Sequence, residues 1–104
     1  MLCDLKIFQK VYDFQLWVKP TVQRFAKVHK YSLGLQIENE VIEFLKSIAR
    51  ANLKRQDRKK FIEECFVHYE IIRVLMRLSN DFKLLSAKQY VRYPFFKTHF
   101  SPRG

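Results

Sequence analysis

Few residues in this chain have the types and spacing that chemistry needs. Cys65 and His68 lie three apart, so a helix would turn both to one side. A zinc-type site needs about four ligands. The other cysteine and histidines, Cys3, His29 and His99, stand in three separate segments. The plainer assignment is Cys65 as a small core residue and His68 as a surface or packing residue, with no metal and no cofactor. Glu63 and Glu64 are neighbours in sequence, so on a helix they diverge and cannot share a substrate. There is no glycine-rich phosphate loop and no His-Glu-x-x-His pair. A non-catalytic protein is expected.

The cations say more. Lys and Arg number 20 against 10 Asp and Glu, a formal net charge of +10. Such an excess repels itself unless a polyanion or an acidic partner is near. It is also unevenly spread. Between Phe14 and Ile37 stand Lys19, Arg24, Lys27 and Lys30, with His29 among them and no acid. From Arg50 to Lys60 run Arg50, Lys54, Arg55, Arg58, Lys59 and Lys60 against Asp57 alone. After Asp81 every charged residue is basic. These are the candidate phosphate contacts, sequence-independent and sensitive to salt. A solubilising surface is the ordinary alternative. Tyr31, Tyr90, Tyr93, Phe95 and Phe96 are candidates for stacking on unpaired bases, although aromatics at helical spacing also serve as core or interface. Arg73 and Arg77, four apart, lie close to an apolar stripe, where they line a subunit seam or pair with acids such as Glu70 or Asp81. An anionic lipid surface fits the same charge. No apolar run approaches the roughly 20 residues of a membrane span, so no membrane role is assigned.

The elements that position these residues read as helices. Hydrophobic residues make up 48% of the chain, enough for a core, and 2 glycines with 3 prolines leave few places to turn. A first helix is expected near Cys3–Lys27, on the stripe Leu5, Phe8, Tyr12 and Leu16, kinked near Trp17 by Pro20. A break over Val28–Tyr31 precedes Ser32 as N-cap of a second helix, Leu33–Asn52, with Ile37, Val41, Phe44 and Ile48 on its apolar face. The third, Arg58–Asn80, is capped by Asp57 and carries Phe61 or Ile62, Cys65, Tyr69, Ile72 and Met76. Ser86 caps a fourth, Ala87–Tyr93, which Pro94 keeps short. The expected fold is all-α, an up-down antiparallel four-helix bundle over residues 1–93. Residues 94–104 form an aromatic and basic tail, expected to fold back on the bundle or on a neighbouring subunit. Two widely spaced cysteines and no leader-like start suit a reducing cytoplasm.

Trp17…Pro20, Phe25, His29-Lys30-Tyr31-Ser32-Leu33-Gly34 and Ile37-Glu38 resemble the first half of the accessory variability determinant proteins of diversity-generating retroelements. Ala51-Asn52, Arg73, Met76-Arg77-Leu78, Asp81, Lys83-Leu84-Leu85-Ser86 and Lys88-Gln89-Tyr90 resemble the second half. The resemblance implies a four-helix bundle that assembles as a barrel-like homopentamer with a basic surface. It implies binding to a reverse transcriptase and its template RNA, or to DNA, in support of error-prone cDNA synthesis. Related bundle proteins are encoded in ribosomal-RNA intervening sequences. A free-standing RNA-binding bundle of that type, or a structural oligomer with no nucleic-acid role, is the alternative. The chain departs from the family at Phe25-Ala26, where Phe-Pro is usual, and in Val91–Gly104, which replaces a longer helix and a Gly-Gly-Trp segment.

Overall fold

A computed structural model describes residues 5–92 of the chain and the side chains of residues 7–90. All regular elements among the described residues are helical: α1 (Leu5–Gln23), α2 (Lys27–His29), a π-helical turn (Lys30–Gly34), α3 (Leu35–Leu53), α4 (Arg58–Asp81) and α5 (Ala87–Arg92). Tyr93, Pro94 and the tail, with the fold-back expected of it, lie outside the described residues.

Helix α1 ends at Gln23, four residues before the expected boundary, and runs through Pro20. Pro20 and Leu16 face solvent, so the Leu16 carbonyl that loses its helical donor is open to water. The Thr21 hydroxyl donates to the Trp17 carbonyl at 2.8 Å. The buried face also differs from the expected stripe. Val11, Phe14, Val18 and Val22 are buried, whereas Tyr12 and Leu16 are 46% and 61% exposed. Two interleaved stripes in α1 satisfy the helical period. The one rich in valine wins because short side chains let the backbones of neighbouring helices approach.

The expected break at Val28–Tyr31 and the Ser32 cap are both replaced. The helix resumes at Lys27, where the His29 and Lys30 amides bond to the Ala26 carbonyl at 2.9 and 2.8 Å. It continues through the π turn with helical angles at Lys30, Gly34 and Leu35. The Ser32 hydroxyl bonds back to the Val28 carbonyl at 2.8 Å, the mode of a serine inside a helix. Tertiary packing accounts for the change. The wider turn buries Leu33 and Gly34 together. A Cβ on Gly34 would stand 2.5 Å from Cγ1 of Val22 and 3.5 Å from the Phe25 ring. The missing side chain is what lets the end of α1 seat on the turn.

Helix α3 is the centre of the molecule and packs against both α1 and α4. Its expected apolar face, Ile37, Val41, Phe44 and Ile48, is fully buried against Cys65, Tyr69, Ile72 and Met76 of α4. Burial raises the Tyr69 pKa above the ordinary phenol value, partly opposed by Arg73, whose guanidinium lies 5.8 Å from the ring centre. Helix α4 closes with the Lys83 amide on the Asn80 carbonyl and the Leu84 amide on the Ser79 carbonyl, both 2.9 Å, around Lys83 at φ 62°. That is a Schellman turn with lysine where glycine is usual. Ser86 caps α5 as expected, its hydroxyl accepting from the Gln89 amide at 3.0 Å while the Gln89 side chain accepts from the Ser86 amide at 2.9 Å. Asp57 stands at the N-cap of α4, but its side chain makes no capping bond.

The Gly34–Val22 contact generates a sign test. Valine is stiff at χ1 and cannot swing away. Gly34→Ala should destabilise the wild type by about 1–3 kcal/mol through overpacking. In a Val22→Ala background the same change should instead stabilise by about 0.5–1 kcal/mol, the helix preference of alanine over glycine. Urea denaturation of the four chains checks the reversal.

Candidate nucleic-acid interface

The charged residues sort by position along the α3–α4 pair. The Ala51 carbonyl accepts from Arg58 Nε at 3.0 Å, Ser47 Oγ lies 3.4 Å from the Glu64 carboxylate, and Glu40 pairs with His68 Nδ1. These contacts run in reverse chain order, as in a helical hairpin. The end of α3 therefore meets the start of α4, and the π turn shares the opposite end with the Phe82–Leu84 turn. His29 stacks on Phe82 there, ring centres 5.4 Å apart. The 19 residues of α3 separate the two ends by roughly 28 Å at 1.5 Å per residue.

Four carboxylates of α3 and α4 are paired. Glu38 takes Lys19 at 3.1 Å from α1, Glu43 takes Lys46 at 3.2 Å, and Glu70 takes Arg73 at 3.4 Å. Glu40 takes His68. The cations at the ends are left over. Among the described residues, none of Arg24, Lys27, Lys30, Arg50, Lys54, Arg55, Arg58, Lys59 and Lys60 enters an ion pair. Arg24, Lys27, Lys54, Arg55, Lys59 and Lys60 are exposed, and Lys30 and Arg50 are half-buried.

The expected candidates thus divide. Arg50, Lys54, Arg55, Arg58, Lys59 and Lys60 gather at the loop end, while Arg24, Lys27, His29 and Lys30 gather at the π-turn end. Lys19 is engaged with Glu38. Arg73 pairs with Glu70, one of the alternatives weighed for it, and with Arg77, Val74 and Tyr90 it lines an open cleft of about 350 Å³ between α4 and α5. Arg58 also holds the last turn of α3, so its loss would disturb the fold as well as the charge. Cys65 is buried in the core and does not share a site with His68, which turns to Glu40. Sequence reasoning missed Phe82 and Lys83. The signal available was a helix ending at Asp81 with no glycine to close it.

The first turn of α4 carries Arg58, Lys59 and Lys60 and no acid. Cations there oppose the helix dipole, by a few tenths to about 1 kcal/mol each. Together with the backbone donors of the helix start they make a positive surface suited to phosphate. None of the described helices is long and apolar enough to cross a membrane.

Fold and charge together define a small, basic protein, with only helical elements among its described residues, in which Glu38, Glu40, Glu43 and Glu70 are paired within the molecule. The bAvd-like family model matches residues 5–94, and the chain belongs to this family of accessory variability determinant proteins. The family is one of non-catalytic accessory proteins of diversity-generating retroelements. Neither a curated protein nor a solved structure matches the chain significantly.

Proposed function

We propose that this chain is the accessory subunit that holds the reverse transcriptase of a diversity-generating retroelement and its template RNA together during mutagenic cDNA synthesis in the cytoplasm. The observation that carries the reading is the set of exposed cations at both ends that form no ion pair with an acid among the described residues. Phosphates would release counterions from these groups whatever the base sequence, and DNA would serve them as RNA does. Membership of the bAvd-like family supports the choice of polyanion and enzyme.

We infer that the described helices are three walls of an up-down antiparallel bundle, with α5 beginning the fourth. We infer that further copies of the chain complete the assembly, as a homopentamer by family resemblance. Val67, Ile71, Val74 and Leu78 recur at helical spacing on α4 and are 38–62% exposed. A continuous exposed stripe of this kind marks an interaction surface. It runs along α4 between the basic first turn and the Phe82–Leu84 turn, so copies meeting there would leave the basic ends outward.

Arg55, Lys59 and Lys60 are the residues to neutralise, because Arg58 also supports Ala51. Changing the three to Gln should weaken RNA binding on the order of 10- to 100-fold at 0.1 M salt, equally across sequences, and lower the salt slope by about 2. Fluorescence anisotropy over a salt series measures both. Unchanged affinity and slope would remove this end from the interface. Sedimentation equilibrium checks the assembly: the expected mass is a multiple of 12.7 kDa, and a monomer at tens of micromolar (roughly) would contradict it.

A further inference from the structure

The two basic ends differ in kind. Phe61 at the loop end is half-buried against the core. The aromatic side chains of large exposure among the described residues are Tyr12, Tyr31 and Phe82, and the last two lie at the π-turn end. Phe82 is 53% exposed, yet its ring is held in place by the stack on His29, with 26° between the planes. The next residue is Lys83, in the left-handed conformation. Stability alone would place neither there. A large apolar ring half in water loses the gain of burial, and glycine would take the left-handed position without the steric penalty that lysine meets. Side by side, the two supply a fixed π face and a cation next to it. Lys27 and Lys30 lie on the helical turn that carries His29, and the Lys30 ammonium lies 5.7 Å from the Tyr31 ring centre.

We propose that Phe82, backed by His29, is a stacking platform for an unpaired nucleobase of the bound RNA, with Lys83 and Lys27 taking the flanking phosphates. A base in a duplex is covered on both faces and cannot stack there, whereas a single strand presents its bases freely. The π-turn end therefore selects unpaired strand, and the loop end contacts phosphates of paired and unpaired RNA alike. This rests on the nucleic-acid reading above and narrows it to the form of RNA and the atoms that detect it.

The test compares a single-stranded 20-nucleotide RNA with an RNA duplex of equal length, by anisotropy on the full chain. Phe82→Leu keeps an apolar side chain and removes the ring. It should lower single-strand affinity roughly 5- to 100-fold and leave duplex affinity and both salt slopes unchanged. Phe82→Trp should retain the preference, and its emission should be quenched by the single strand and not by the duplex. Lys83→Gly should raise the melting temperature while reducing the single-strand salt slope by about 0.7. If Phe82→Leu loses nothing, or loses single strand and duplex equally, the platform is wrong and the charge-based reading survives. If the wild type binds neither RNA, that reading fails and the platform with it.

Discussion

Ten uncompensated positive charges on 104 residues are the constraint under which the molecule is built. Spread evenly, they would raise the energy of the folded state everywhere. Instead the carboxylates of Glu38, Glu40, Glu43 and Glu70 on α3 and α4 are each set against a cation or His68. Exposed pairs of this kind are worth only about 0–1 kcal/mol each, so their effect lies less in stability than in where they leave the remaining charge. Among the described residues, Arg24, Lys27 and Lys30 at one end of the helical hairpin and Arg50, Lys54, Arg55, Arg58, Lys59 and Lys60 at the other are left without an acid, and a polyanion that touched both would relieve them.

Local rules of stability are broken at those same ends. Three cations crowd the N-terminus of α4, where acids are preferred. Lys83 occupies a backbone position suited to glycine, beside a phenylalanine half in water. The core shows no such conflict: Ile37, Val41, Phe44, Ile48, Ile72 and Met76 are buried to within 1%. Departures from local preference that cluster on one kind of surface are what a binding function leaves behind.

Much of this was legible before the structure. The apolar faces of α3 and α4 follow from three-to-four spacing because Ile37, Val41, Phe44 and Ile48, and Cys65, Tyr69, Ile72 and Met76, each make one unbroken helical stripe. The Ser86–Gln89 cap was readable for a similar reason, since both partners lie within one turn. Helix α1 was not, because it is apolar on two sides and periodicity does not choose between Leu16 and Val18. The π turn was hidden as well. Ser32 carries a local signal for a helix start, and what overrides it is the seat of Val22 on Gly34, a contact twelve residues apart that no local pattern shows. The cations were legible as residues, but not their sorting to two ends, which depends on how α3 and α4 are paired. For Phe82 the lack of a closing glycine marked the helix end but not the exposure of the ring, which is set by the Schellman turn that follows it.

Lysine footprinting tests the central claim most directly. The chain would be treated with an amine-reactive reagent with and without bound RNA, and modification read at each lysine by mass spectrometry. Protection by RNA is expected at Lys27, Lys30, Lys54, Lys59 and Lys60, at both ends, while Lys46, exposed and paired with Glu43 in the middle, reacts equally in both states. Protection centred on Lys46 with the end lysines unchanged would contradict the account.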